Sequence, residues 1–561
     1  MARSLQRAGL GCAIALVVCP PGLAGGVAGD TAFRRFVAAQ TASPAPAPPE
    51  VEPARAPLHI EVTLEGQTEA RAALVRITQV ANARTVNLPV HLRRQMGWYS
   101  LPAGAIVDVP VGELRVEACH GLDTEIATTS VRVAAGAAAA RARLALRRFY
   151  DSRARGFAGG NTHLHLRYGS SGGTSIKTKA QAAEYLATVG QSDGLDLVYV
   201  SYLVRTGFDY VSNEFTAADL ARLSDPRVRF ANGEEFRHEG GKTAARSGQN
   251  ELRYGHVLFL DLPRLVPPVS YGAIFMPDRP PSDAEPMRRG MREAREHGAT
   301  IIWCHGRQGI EDVPNWLDGM LDAQNIFDGG SEGTFERVFY PYLNAGLRVP
   351  FSSGTDWGVY DFSRAYVALD GAPDSRGYLT QLRAGRSYIT NGTLLEFDVE
   401  GSSAGDTIEL ASGRRLRLRG RALGRDDFLR LEVVWNGEVV ATAQRREVGA
   451  HFEADLAASF EVREPGWLAL RLPMEHLYSG EARYTGPGSN LLGKALFAHT
   501  SPVYVKLGGH TVRKPEAVQA LVADLDAGIR EIETKGAFAT DAERTAVLAL
   551  YRNALTALSS R

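Results

Sequence analysis

Two histidines, His163 and His165, end the segment Gly-Gly-Asn-Thr-His-Leu-His at residues 159–165. This segment resembles the end of a buried strand, and side chains at positions i and i+2 of a strand lie on the same face. We therefore expect the two imidazoles to converge on one point. Divalent cations bind imidazole nitrogens at about 2.0–2.1 Å, so the pair predicts a metal site, although paired surface histidines also occur by chance.

Further residues of metal-ligand type stand beside strand-like apolar runs downstream. Two of the runs follow helical stretches that end at Gly298 and Gly346, which are typical helix stops. A repeat of helix, loop, strand and ligand is typical of barrel-like α/β domains, whose functional residues lie at the C-terminal ends of strands. Nitrogen and oxygen ligands without thiolates favour zinc, manganese or iron in a hydrolytic site. The downstream residues are Glu234, Glu235, His256, His305 and Asp356.

Each downstream residue also has an interpretation without metal. His256 could be an ordinary core histidine, and Asp356 could be a turn residue, because Ser-Gly-Thr-Asp is turn chemistry. Glu234 and Glu235 could belong to a solvated loop. Each alternative accounts for its own residue as well as the metal does. Their joint occurrence at strand ends within one domain favours the metal site.

Residues 156–401 resemble the carbaryl-hydrolase (CehA/McbA) family of metallohydrolases, relatives of the polymerase-and-histidinol-phosphatase (PHP) superfamily. The resemblance implies a distorted seven-stranded (β/α)7 barrel that holds a multinuclear metal centre. It is carried by His-Leu-His at 163–165, Gly-Glu-Glu at 233–235, Gly-His at 255–256, His305, Gly-Thr-Asp at 354–356, and the segments 382–392 and 498–504.

Carried over to this chain, the family pattern implies six metal ligands, with Glu235 preferred to Glu234 because the pattern is Gly-x-Glu. Two departures favour one or two ions over three. The usual Thr-Asp-His after the second strand is Ser-Tyr-Leu at 201–203, and the usual D-x-H is replaced by Trp357 and Gly358 after the aspartate. A degenerate, non-catalytic site stays open as an alternative. The implied ligands are His163, His165, Glu235, His256, His305 and Asp356.

The N-terminus predicts export from a bacterial cell. Arg3 and Arg7 precede an apolar run at 10–18 and small residues near Ala24 and Ala28, which is the pattern of a signal peptide too short to span a membrane. A secreted or periplasmic location follows. After signal removal only two cysteines remain, Cys119 and Cys304, in different predicted domains, so no disulfide framework is indicated.

Length and charge limit the remaining possibilities. The chain has 561 residues, enough for three or four domains. Lys+Arg and Asp+Glu number 63 each, which gives no basic surface for nucleic acid or an anionic membrane. The predicted organisation is a signal peptide at 1–28, an Ala/Pro-rich linker at 29–57, a prealbumin-like β-sandwich at 58–150, the PHP-like domain at 156–392, a β-rich module at 393–512 and a helical tail at 513–561.

Within the β-modules, alternating apolar residues predict strands that turn residues separate. Asn436 and Gly437 predict a type I′ hairpin. The helical tail has Leu521, Leu525, Ile529 and Ile532 at helical spacing, for packing or for a dimer contact. The predicted strands include 59–64, 73–77, 106–109, 113–118 and 131–133 in the N-terminal module, and 415–421, 429–435 and 438–441 in the C-terminal module.

These residues predict metal-assisted hydrolysis of an ester, carbamate, amide or phosphoester in a small molecule. Asp356 and His305 are the predicted catalytic residues. Arg307 or Arg205 could stabilise an oxyanion, but each could also be a surface or structural arginine. No Gly-x-Ser-x-Gly elbow competes for the chemistry. The alternative function is a non-catalytic cell-envelope binding protein with a degenerate metal site. No nucleic-acid partner and no membrane span are expected, and a homo-oligomer is compatible with the sequence.

Overall fold

The computed structural model of the protein describes most of the chain beyond the predicted linker. The predicted signal peptide and Arg205 lie outside the described residues. These are 54–136, 139–166, 175–204, 211–212, 215–242, 252–266, 282–284, 286–330, 333–359, 361–479 and 482–560.

The N-terminal strands form two sheets, of order β4-β1-β7 and β3-β2-β5-β6. Their buried apolar side chains share one core, as expected for facing sheets, and buried and exposed residues alternate along β1 and β7. All five strands that the sequence predicts in this module lie within observed ones. The strands are β1 (Arg55–Leu64), β2 (Ala73–Gln79), β3 (Tyr99–Leu101), β4 (Ile106–Pro110), β5 (Gly112–Cys119), β6 (Ala127–Val133) and β7 (Ala140–Leu146).

The central region contains the predicted site and alternates strands with short helices. Gly298 and Gly346 have φ of 80° and 87° and follow helices, as the sequence predicts. The elements are β8 (Phe157–His165), α1 (Lys179–Ser192), β9 (Leu197–Val204), β10 (Val211–Ser212), α2 (Ala217–Leu223), β11 (Arg229–Gly240), β12 (Leu252–Leu260), α3 (Arg288–Glu296), β13 (Thr300–Trp303), α4 (Asp312–Leu317), β14 (Ala323–Asn325), α5 (Phe335–Val338), α6 (Tyr340–Asn344), β15 (Phe351–Ser352), β16 (Asp356–Trp357), β17 (Arg364–Ala368), α7 (Ser375–Arg383) and β18 (Ser387–Thr390).

The central strands form a sheet that curls into a half-barrel. β8, β9 and β11 are parallel neighbours, and so are β13, β14 and β15. Between these groups β12 runs antiparallel to both β11 and β13. A regular (β/α) barrel needs parallel strands joined by crossover helices. The expected (β/α)7 barrel is therefore not confirmed, and the described chain is multidomain and mostly β, with a few helices.

The C-terminal strands divide between two sheets. One is a separate sheet of four strands, β19, β21, β25 and β24. The other C-terminal strands belong to the central sheet, where β27 pairs with β18. Asn436 and Gly437, with φ of 52° and 98°, connect β22 to β23, as the type I′ signal predicts. The strands are β19 (Leu394–Val399), β20 (Thr407–Leu410), β21 (Arg415–Gly424), β22 (Arg430–Trp435), β23 (Glu438–Gln444), β24 (Arg446–Val448), β25 (His451–Glu461), β26 (Gly466–Arg471), β27 (Ala498–Thr500) and β28 (Val503–Leu507).

The tail consists of α8 (Pro515–Lys535) and α9 (Asp541–Ser560). Leu521, Leu525 and Ile532 are buried in the core that the central helices share, so this apolar face packs within the chain. None of the helices that the structure describes combines the length and apolar character that a bilayer crossing requires.

Candidate metal centre

His163 and His165 lie at the end of β8, fully buried, with their Nε2 atoms 3.1 Å apart. The backbone before them is held by hydrogen bonds to the segment that carries Asp356. Asn161 Oδ1 accepts from the backbone N–H of both His163 and Thr355. β16 then pairs in parallel with β8, so that Asp356 lies opposite Leu164. Strand pairing thus brings residues almost two hundred positions apart to one place.

Four ligand atoms converge there: the Nε2 atoms of His163 and His165, Glu235 Oε2 and Asp356 Oδ1. Glu235 Oε2 lies 2.8 Å from His165 Nε2 and 3.9 Å from His163 Nε2. Asp356 Oδ1 lies 3.4 Å from each of these nitrogens. Ligands about 2.0–2.1 Å from an ion in tetrahedral geometry are about 3.3–3.4 Å apart. The observed spacings scatter around that value.

A second group of ligand atoms adjoins the first and shares Glu235 with it. Glu235 Oε1 lies 2.7 Å from His256 Nδ1 and 3.5 Å from His305 Nε2. The carboxylate therefore directs one oxygen to each group, the arrangement of a bridging ligand between two ions. All six ligands that the resemblance implies are brought together by the structure.

The protonation of the histidines suits metal binding. His163 Nδ1 donates to Asp328 Oδ2 at 2.7 Å, and His165 Nδ1 donates to the carbonyl of Ser201 at 2.8 Å. A histidine that donates through Nδ1 presents the lone pair of Nε2 to an ion. Both Nε2 atoms point into the first ligand group.

An orphaned oxygen also fits a cation. Asp356 is 5% exposed, and its Oδ1 is buried without a hydrogen-bond donor among the described residues. A buried carboxylate oxygen without a donor is costly, and a divalent ion among these four ligand atoms would satisfy it. The residues present therefore fit one or two divalent ions.

The electrostatics of the site are dominated by its carboxylates. Burial raises the pKa of the Glu235 carboxyl, but the charge of His256 and hydrogen bonds from His165, His256 and His305 lower that pKa well below its ordinary value. Burial lowers the pKa of His305, but Asp328 outweighs it and raises that pKa. The acidic groups thus attract protons to the histidines, and an ion would compete with those protons.

The neighbouring Glu234 faces away from the site. Successive residues of a strand point to opposite faces, so Glu234 is directed to the other side of β11, where it accepts from the N–H of Val266 at 2.7 Å. Burial raises its pKa to about 8, so it is a neutral acid at neutral pH. This placement agrees with Glu235, and not Glu234, as the ligand.

We expect Glu234→Gln to change the pH dependence of stability. The folded pKa lies above the unfolded value of about 4.3, so the wild-type protein loses stability as pH rises between these values, by up to about 1.4 kcal/mol per pH unit. Glutamine imitates the neutral acid and does not ionise. Urea unfolding of the metal-free proteins at pH 5.5, 6.5 and 7.5 should show an advantage of the variant that grows with pH. Parallel pH profiles would contradict the assignment.

Asp328 is a site residue that the sequence analysis missed. Its Oδ2 accepts from His163 Nδ1, and its Oδ1 accepts from the backbone N–H of His305 at 2.9 Å. Asn325 Nδ2 donates to the same carboxylate at 3.1 Å. Asp328 thus orients two of the candidate ligands and is not itself in either ligand group. Its signal was an aspartate three residues after the short strand β14.

Two of the candidate ligands have unusual backbones. His305 and Asp356 have φ of 57° and 59°, a left-handed conformation that costs energy for residues other than glycine and that concentrates at functional sites. Gly329, with φ of 62°, lies against both, and a Cβ there would stand 2.5 Å from Asp356 Oδ2. The turn at Asp328–Gly330 therefore requires glycine at this point.

A cavity of about 230 Å³ opens onto the site, and Glu235, His256, His305 and Asp356 line it. His163 and His165 are buried more deeply. Arg307 is not among the lining residues.

The Arg307 guanidinium donates to Tyr342 OH at 3.0 Å and to Asp524 Oδ2 at 2.6 Å, so its predicted catalytic role has no support from its position. Arg237 and Arg253 line the cavity instead, and neither was singled out from the sequence.

Cys304 adjoins the site as a buried thiol. Together with His163 and His305 it forms a further group of potential ligand atoms. Burial, reinforced by the charge of Glu235, raises its pKa well above the ordinary value, which opposes a nucleophilic role. Cys119 and Cys304 are both free and buried, and the sequence analysis predicted no disulfide between them.

Comparison with known proteins gives no relative: no family model, no curated protein and no solved structure matches this chain. The function has to be inferred from the residues of the site.

Proposed function

We propose that the protein is a metal-dependent hydrolase of ester, carbamate, amide or phosphoester bonds, with one or two divalent ions, zinc, manganese or iron. The observation that carries the proposal is the position of Glu235, whose two oxygens face two adjoining groups of ligand atoms at the base of a cavity. Paired divalent ions are typical of hydrolytic sites.

In the proposed reaction, the metal ions and the residues of the chain have different roles. Bound ions supply Lewis acidity, which polarises the scissile group and makes a water nucleophilic at neutral pH. Asp356 accepts the proton of the attacking water at Oδ2, because this carboxylate lines the cavity and holds its other oxygen in the ligand group. Asp328 keeps His163 and His305 oriented, which limits reorganisation during the reaction.

The predictions of family, cellular location and number of ions that were made from the sequence are part of this proposal. Membership in the CehA/McbA family, which implies a PHP-like barrel, is consistent with the six candidate ligand positions. Export to the periplasm or the medium agrees with residues 1–28. The absence of the Thr-Asp-His and D-x-H motifs supports one or two ions over three. The residues at these places act on His165 instead: the Ser201 carbonyl accepts from its ring, and Trp357 packs against it.

The proposal is tested by metal content together with turnover. We expect the mature protein to bind one or two equivalents of zinc, manganese or iron and to hydrolyse members of a panel of 4-nitrophenyl esters and phosphoesters. A chelator should abolish the activity, and the metal should restore it. Bound metal without turnover of any substrate would favour the alternative, a cell-envelope binding protein. Absence of both metal and turnover would contradict both functions.

A further inference from the structure

The pairing of β11 with β12 places two arginines on the same face as the metal ligands. Residues opposite each other in a pair of strands share a face, and Arg237 lies opposite His256. Arg237 also follows Glu235 by two positions, which gives it the same face. It therefore points into the cavity beside the site, which it lines.

Arg253 reaches this face through an irregularity of the strand pair. The register shifts after His238, so that Glu239 lies opposite Arg253 and not Tyr254. Without this bulge Arg253, three residues before His256, would point to the opposite face. Bulges next to active sites commonly redirect a side chain in this way. Gly255, with φ of 147°, is at the bulge, and a Cβ there would stand 2.1 Å from the Trp303 ring.

Neither guanidinium has a hydrogen-bond or ion-pair partner within the described part of the chain. Arg237 is 6% exposed, and its Nε is buried without an acceptor. Burial of an unpaired charge is costly. Other buried arginines here are paired: Arg94 with the Asp193 carboxylate at 2.6 Å, and Arg364 with the Asp193 carbonyl at 2.7 Å. Within the described residues, Arg237 therefore lacks the oxygen acceptor that these other buried arginines have.

The described cavity wall offers Arg237 and Arg253 no free carboxylate. Its carboxylates are those of Glu235 and Asp356, and both belong to the ligand groups. Occupied by divalent ions, the site would carry excess positive charge, and the two arginines would add to it. A guanidinium offers planar, forked donors that match the oxygens of a phosphate or a carboxylate.

We propose that Arg237 and Arg253 bind an oxyanion of the substrate, so that the site takes anionic esters in preference to neutral esters and carbamates. This inference rests on the proposed hydrolytic function, because that function makes the bound anion a substrate. The oxyanion is either the phosphoryl group itself or a carboxylate near the scissile bond. Both offer the same oxygens to the arginines.

Binding of inorganic phosphate to the zinc-loaded protein, measured by calorimetry, tests the arginines without turnover. We expect Arg237→Gln to weaken phosphate binding about tenfold or more, because a hydrogen bond to a charged group contributes on that scale. Arg253→Gln, at an exposed position that places no demand on folding, should weaken it in the same direction. Arg229→Gln is the matched control, since Arg229 is exposed on the same strand far from the cavity.

Zinc content should be equal in all four proteins, so that any loss of phosphate binding is assigned to the guanidinium. Equal phosphate affinity of the wild type, Arg237→Gln and Arg253→Gln would overturn the inference. This result would leave the hydrolytic proposal standing, because that proposal depends on the metal ligands.

Three substrates with the same leaving group identify the oxyanion: 4-nitrophenyl phosphate, 4-nitrophenyl hemisuccinate and the neutral 4-nitrophenyl acetate. We expect Arg237→Gln to lower kcat/KM for the phosphate or the hemisuccinate, whichever is the better substrate, about tenfold more than it lowers kcat/KM for the acetate. An equal loss on all three would overturn the oxyanion role. If none is hydrolysed but phosphate binding still depends on Arg237, the oxyanion site stands and the hydrolytic proposal fails.

Discussion

Glu235→Gln should weaken metal binding in both ligand groups at once and abolish most of the hydrolytic activity. Glu235 is the residue whose two oxygens face different groups, and an amide cannot offer two anionic oxygens. Changes to groups that merely orient ligands typically cost 10–100-fold in metal affinity, so we expect a loss of about 100-fold or more here. Zinc affinity by competition with a chelating dye, and zinc content by elemental analysis, measure it.

Glu234→Gln is the matched control for this substitution. It changes the adjacent residue, which is equally buried but faces the other side of β11 and is a neutral acid at neutral pH. Zinc affinity and turnover should therefore be those of the wild type. Wild-type zinc content in Glu235→Gln together with a loss in Glu234→Gln would show that the ligand had been assigned to the wrong glutamate.

The candidate ligands could be identified from the sequence because each depends on a local feature. His163 and His165 share a face for the simple reason that they are two residues apart in a strand. Glu235, His305 and Asp356 each follow an apolar run, and runs of this kind became β11, β13 and β15. Strand ends can be recognised in a sequence without knowledge of which strands pair.

Residues that act on the ligands were not predictable in this way. Asp328 matters because β14 lies beside β13, which places its carboxylate against the His305 backbone. Arg253 faces the site because of a bulge in the register of β12, and neither feature has a periodic signal. For Arg307 the sequence position was misleading. It lies two residues after a candidate ligand, which suggested catalysis, but its guanidinium donates to Asp524 on α8.

The fold was predicted less well than the clustering of the candidate ligands, for a related reason. Apolar runs indicate that strands exist, but not their direction. The expectation of a (β/α)7 barrel took β12 as one more parallel strand, whereas it is antiparallel to β11 and β13. The predicted C-terminal module likewise joins the central sheet through β18 and β27, a pairing of residues more than a hundred positions apart.

Asp356→Asn should lower turnover by about 10²–10⁴-fold, the usual cost of a missing general base, and should affect kcat more than KM. Asparagine retains the volume and one oxygen of aspartate but not its charge. It also tolerates the left-handed backbone that Asp356 adopts with φ of 59°. The folded structure should therefore survive. Steady-state kinetics on the best substrate of the panel, at equal zinc content, measure the effect.

The competing explanation is that Asp356 only stabilises the turn after Ser-Gly-Thr, where asparagine serves nearly as well. The control is Asp370→Asn, which makes the same chemical change at an exposed position and should keep wild-type turnover. The melting temperatures of both variants report on folding. If Asp356→Asn binds zinc, melts as the wild type does and retains nearly full turnover, Asp356 is not the proton acceptor, and the catalytic base must be sought among the other residues that line the cavity.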